Sequence, residues 1–203
     1  GQPVMDILLP PSGSGPGVLI AHPWWGLNAT IRAYGAALAR EGFVVGLPDL
    51  FDGETADTIE GAEKLLHANF ETGTEKVRAA ITNLSTHPAL TKKSVGAVGF
   101  SYGGFHLLRQ LSDTALPLGR AVIYYATHPL PPRHVPVLAH LAESDDFESN
   151  ADMQALTAAL ATAPNAAHTY AGTKHWFAES DRPEHDAAAA KLAFERTVTF
   201  LRA

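Results

Sequence analysis

The sequence predicts an α/β fold: a mostly parallel central sheet with helices on both faces. Three observations carry that reading. Short apolar runs rich in valine, isoleucine and aromatic residues alternate with longer stretches of helical spacing. Parallel strands require such crossover connections. A glycine-flanked serine, Gly99-Phe100-Ser101-Tyr102-Gly103, follows one apolar run where a helical pattern begins. The length of 203 residues fits one domain spanning 1–203 better than two.

The runs at 4–9, 17–22, 43–48, 95–100, 120–125, 137–142 and 167–171 are mostly too short for helices and lie between turn signals, so they read as strands. Helical spacing covers 29–41, ended by Gly42, and then 56–70, 74–85, 104–111, 151–161 and 184–201. Ser149 and Asn150 suit the N-cap of the fifth helix, and Ser180 or Asp181 ahead of Pro183 suits the start of the sixth. The first two strands are joined by PPSGSGPG, which predicts an antiparallel pair at one edge of the sheet. No internal repeat is visible.

Composition narrows the function classes. Hydrophobic residues make up 46% and charged residues 18%, as expected of a chain that folds around a core. A net charge of -6 offers no basic footprint, so nucleic acid is not expected as a partner. The absence of cysteine excludes disulfides, thiolate metal sites and a cysteine nucleophile. Neither H-x-H nor H-E-x-x-H occurs, so no metal site is expected. No segment approaches the roughly 18 apolar residues of a membrane span, and the start of the sequence lacks a basic region followed by a long apolar core. A cytoplasmic location without membrane contact is the default expectation.

The G-x-S-x-G pattern places Ser101 just beyond a strand end, where open α/β sheets bind ligands. Gly99 and Gly103 leave room for a sharp, strained turn. Taken alone, the glycines could equally serve a tight turn, but a dinucleotide or P-loop reading fails on the spacing of Gly96, Gly99, Gly103 and Gly104 and on the missing lysine. A serine nucleophile needs a base oriented by a carboxylate, in the chain order serine, acid, histidine. His175 lies in the loop GTKHWF between the last expected strand and helix, and the strand at 137–142 runs into Glu143-Ser144-Asp145-Asp146. Asp145 is the expected acid, with Asp146 as runner-up. Oxyanion donors are expected from the N–H of Tyr102 and of Trp24, because Pro23 carries no N–H. His22 and His106 could line a pocket or pack. Two adjacent tryptophans cannot easily both face one core, and the expected pocket walls are Trp24, Trp25, Tyr102, Trp176 and Phe177, which favour apolar or aromatic groups.

These residues together resemble the dienelactone hydrolase family over nearly the whole chain. The resemblance rests on GVLIAHPWWGLNATIRAYGAALAREGFVVGLPDLF, GFSYGG, AESDDF and YAGTKHWF, in that order. It implies an α/β-hydrolase fold with no lid domain, no metal and no organic cofactor. It also implies a triad of Ser101, Asp145 and His175 with oxyanion donors at Trp24 and Tyr102. Three departures follow from the comparison: the family's namesakes use cysteine where this chain has Ser101, a glutamate where it has Pro23, and a carboxylate-binding arginine where it has Glu179. A carboxylate at Glu179 is expected to repel anionic substrates. The expected function is therefore a serine hydrolase of small uncharged carboxylic esters, with activity rising as the base loses its proton. A thioesterase or peptide-cleaving hydrolase would use the same triad, and a non-catalytic ligand-binding protein could keep the same fold.

Overall fold

The computed structural model describes residues 5–203. Val4, where the first expected strand begins, lies outside the described residues. In chain order the elements are β1 (Asp6–Leu8), β2 (Gly17–Ala21), α1 (Ala29–Arg40), β3 (Val44–Leu47), α2 (Ile59–Ser85), β4 (Val95–Phe100), α3 (Tyr102–Leu108), β5 (Leu118–Tyr124), β6 (Val137–Ser144), α4 (Asn150–Ala159), β7 (Ala166–Lys174) and α5 (Ala187–Arg202). The seven strands form one sheet in the order β1-β3-β2-β4-β5-β6-β7, parallel except for β1. Strands β2 to β4 are almost entirely buried apolar runs, as expected where helices cover both faces.

Alternate residues divide those faces. On β3, a Cβ added to Gly35 of α1 would lie 3.1 Å from Leu47, and one added to Gly46 would lie 3.3 Å from Leu84 of α2. Helices α1 and α5 share the first face, where the Tyr34 and Phe194 rings pack edge to face. Helices α2 and α3 cover the other, where Gly73 meets His106.

The edge of the sheet differs from expectation. Strand β1 pairs antiparallel with β3, Ile7 opposite Gly46, and not with β2. Strand β2 already has parallel neighbours on both sides, so its hydrogen bonds are taken. The PPSGSGPG stretch is a turn that packs away from a hairpin path: Gly15 N–H donates to Ala89 O, and a Cβ on Gly15 would lie 2.1 Å from Gly42 O.

Two expected helices, 56–70 and 74–85, are a single helix, α2. Gly73, a weak helix former, falls between the two expected spans, and in the fold it is a point of close approach. An added Cβ there would sit 2.5 Å from the His106 ring. The helix after Ser101 starts earlier than expected, at Tyr102, and its last turn tightens to a 3-10 turn at Arg109–Ser112. The last helix starts later, at Ala187, because the Asp186 side chain accepts the Ala189 N–H as its cap. Ser149 caps α4 as expected, accepting from Asp152 N–H. Among the described residues no helix is long and apolar enough to cross a membrane.

Gly73→Ala separates two opposing effects. Helix propensity gains about 1 kcal/mol, whereas forcing a buried imidazole aside typically costs about 1–3 kcal/mol. Because His106 is wholly buried, we expect a net loss seen as a lower urea midpoint with an unchanged slope. A raised midpoint would mean that the helices can part freely.

Candidate active site

Strand β4 is the middle strand of the sheet and delivers Ser101 directly beyond its carboxyl end. Ser101 has φ 52° and ψ -107°, a left-handed conformation that side chains rarely adopt. Its N–H donates to Tyr124 O at 2.9 Å and its C=O accepts from Phe105 N–H at 2.8 Å, so the strained turn is held from both sides. The flanking glycines are required by space. A Cβ on Gly99 would lie 2.6 Å from Gly104 Cα, and one on Gly103 would lie 2.2 Å from Ala21 O. These contacts press α3 against the ends of β2 and β4.

The sequence-predicted triad residues come together. Ser101 Oγ lies 2.7 Å from His175 Nε2, and His175 Nδ1 lies 2.7 Å from Asp145 Oδ2. A carboxylate can only accept from the ring, so Nδ1 carries the proton and Nε2 is left to accept from the serine hydroxyl. Asp145, on the turn after β6, has a fully buried side chain whose other oxygen accepts from Phe147 and Glu148 N–H at 2.8 and 3.0 Å. Asp146, the runner-up, is exposed. His175 follows β7, and the next residue, Trp176, turns back with φ 71°.

The two expected oxyanion donors, Trp24 and Tyr102, both line the cleft with Ser101. Among the described residues neither backbone N–H has a hydrogen-bond acceptor. His22 orients the first of them. Its Nε2 accepts Leu50 N–H at 2.8 Å, so the ring proton sits on Nδ1, which donates to Pro23 O at 2.7 Å. The Pro23–Trp24 peptide is trans, so holding the carbonyl towards His22 turns the Trp24 N–H the opposite way. Burial lowers the His22 pKa to about 4, which keeps the ring neutral and this tautomer in place.

The cleft, about 230 Å³, is lined by Trp24, Leu66, Phe70, Tyr102, Phe105, Phe147, Glu148 and Trp176 around Ser101 and His175. Its mouth is marked by Phe70 and Phe147, which are 39% and 45% exposed. Trp25 and Phe177, expected as walls, lie behind it. Trp25 is buried against Trp24 and Trp176, and Phe177 packs on Tyr125 and Tyr170. Only one of two adjacent tryptophans can face the cleft while the other fills the core beneath. Leu66, Phe70, Phe105, Phe147 and Glu148 were not foreseen. For Phe105 and Glu148 the available signal was their position four residues after Ser101 and three after Asp145.

Glu179 also departs from expectation. It is 1% exposed, does not line the cleft, and accepts the Tyr125 hydroxyl at 2.6 Å through Oε2. Burial raises its pKa to about 8, so it is largely protonated at neutral pH. The charge able to face a substrate is instead Glu148, half-buried and raised to about 7 chiefly by burial. His106, the other uncertain histidine, packs: its Nδ1 lies 2.7 Å from the Thr74 hydroxyl, and burial lowers its pKa to about 4.

A parallel sheet whose middle strand ends in a strained, glycine-flanked residue is the arrangement of the α/β hydrolases, and this enzyme is a hydrolase of that class. Sequence comparison narrows the class: the profile of the dienelactone hydrolase family matches residues 6–203, and the chain belongs to that family. It is 28% identical to the protein usf of Aquifex pyrophilus, over all of this chain and 94% of that one. It is 29% identical to a carboxymethylenebutenolidase of Pseudomonas putida, over 95% of this chain and 87% of the relative. Among solved structures, a dienelactone hydrolase-like promiscuous phosphotriesterase from metagenomic libraries superposes with a TM-score of 0.75. That match has 20% identity and covers 94% of this chain and 87% of the other.

Two measurements follow from this geometry. Asp145→Asn should lower kcat/KM by about 10³-fold or more, as loss of an orienting carboxylate does, while Asp146→Asn should leave it within a few fold. The reverse ranking would put the orienting acid at Asp146. For Glu179, the folded pKa of about 8 lies above that of an unfolded glutamate. The folded state then keeps a proton that the unfolded chain has released, so this stability is full below about pH 4.5 and is lost as pH rises through about 8. In urea midpoints measured from about pH 5 to 8, Glu179→Gln should flatten the decline. An equally steep decline would place the titration elsewhere.

Proposed function

We propose that this enzyme hydrolyses small uncharged carboxylic esters through an acyl-enzyme on Ser101. The observation that supports it best is the unbroken chain of two 2.7 Å hydrogen bonds from Ser101 through His175 to Asp145. Ser101 Oγ attacks the ester carbonyl while His175 Nε2 takes the hydroxyl proton, and Asp145 steadies the imidazolium that forms. The carbonyl oxygen becomes an oxyanion, to which the N–H groups of Trp24 and Tyr102 donate. On collapse the C–O bond to the alcohol breaks, and His175 returns the proton to the departing oxygen. A water molecule, deprotonated by His175, then attacks the acyl carbonyl; the bond to Ser101 Oγ breaks, His175 returns the proton to that oxygen, and the carboxylic acid leaves. The pronounced aromatic lining supports apolar or aromatic groups on the substrate.

A phosphonylating serine reagent tests this directly. The parent protein should gain one adduct by intact mass, mapped to Ser101, and Ser101→Ala should gain none. Absence of label under conditions that modify a known serine esterase would remove the nucleophile. Against a panel of esters, thioesters and peptides, short-chain and aromatic esters should give the highest kcat/KM, and Ser101→Ala should lose most of that rate.

A further inference from the structure

Glu148 is a carboxylate without a counter-charge in an aromatic cleft. It lines the same space as Ser101 and His175. The Thr127 hydroxyl donates to its Oε2 at 3.0 Å, but among the described residues it has no ion-pair partner and no lysine or arginine lines the cleft. The ionised groups it senses are the carboxylates of Asp145 and Asp152, both of its own sign, with His175 facing the same space. A half-buried carboxylate in such surroundings is stabilised when a cation enters. The walls suit one as well. Trp24, Phe147 and Trp176 pack together with ring centroids 4.8–5.9 Å apart, and Phe70 faces the same cleft from α2. Arg182, outside the cleft, already lies over the Trp176 ring at 4.9 Å, which leaves Trp24, Phe147 and Phe70 as the rings without a cation among the described residues. Aromatic rings attract ammonium groups through their negative faces, most strongly for quaternary ammonium ions that carry no N–H to desolvate.

We infer that Glu148 and the aromatic walls form a subsite for an ammonium group, so that among esters of equal size the enzyme prefers those carrying a positive charge near the scissile bond. This rests on the ester-hydrolase reading for its catalytic consequence, but not for binding. The subsite extends the substrate range from uncharged esters to cationic ones, and the same carboxylate disfavours anionic ones. The preference strengthens with pH as Glu148 ionises, because the ionised carboxylate attracts the cation that the protonated acid does not.

Binding and turnover test it separately. Phenyltrimethylammonium and its uncharged carbon isostere tert-butylbenzene are titrated into the protein at pH 5.5 and 8, following tryptophan fluorescence, with the parent and Glu148→Gln. In the parent the ammonium ion should bind at least about fivefold tighter than the isostere at pH 8, and the advantage should shrink at pH 5.5. In Glu148→Gln most of the advantage should go. Equal binding of the two probes, or an advantage untouched in Glu148→Gln, would overturn the inference. In turnover, the ratio of kcat/KM for the acetate ester of choline to that of 3,3-dimethylbutanol cancels the titrations common to both. That ratio should exceed one and fall severalfold in Glu148→Gln. If the ammonium probe binds as expected but neither ester is cleaved, the cation subsite stands and the hydrolytic mechanism at Ser101 fails.

Discussion

No atom can be added where α3 meets the ends of β2 and β4, and the rest of the site depends on that contact. The absent Cβ of Gly103 would fall within 2.2 Å of the Ala21 carbonyl, and that of Gly99 would press on the Gly104 backbone. With those positions reduced to backbone, the chain can reverse within one residue. Ser101 is left with its strained backbone and its side chain projecting at the sheet's carboxyl edge, where it meets His175. The same contact brings the loop after β2, with Trp24, beside Tyr102 at the first turn of α3. The proposed nucleophile and oxyanion donors are thus set by one packing event. Asp145 and His175 arrive independently, from the neighbouring strands β6 and β7, which end at the same edge.

Desolvation then decides the state of His22, Glu179 and Glu148 around this edge. It keeps His22 neutral, so that the ring can accept Leu50 N–H with one nitrogen and hold the Pro23 carbonyl with the other. It keeps a proton on Glu179 at neutral pH, where Tyr125 donates to it beneath the cleft. Glu148 experiences a weaker version, being half-buried, and its titration falls near neutrality, where the cleft can hold either a neutral acid or a charge. The contrast between Glu179 and Glu148 is one of position: both carboxyls are raised by burial, but only Glu148 looks into the space that a substrate would enter. The carboxyl facing the cleft is therefore three positions from Asp145, rather than four positions from His175.

The order of strands and helices was legible because its signals are local. Apolar runs, the Ser149 cap and the glycines about Ser101 each act within a few residues. The candidate triad was legible for the same reason, since serine, acid and histidine each follow a strand that announces itself. The edge pairing of β1 was not legible, because it depends on β2 having both sides occupied by β3 and β4. Nor was the continuity of α2, because the sequence shows Gly73 as a weak helix former and cannot show the His106 ring that needs its missing Cβ. By itself the sequence determined which residues could react, through backbone geometry and residue chemistry that travel only a short way along the chain. Which side chains face the cleft, which carboxyls keep a proton and which tryptophan meets a substrate were decided by tertiary structure alone, because burial is set by neighbours distant in sequence.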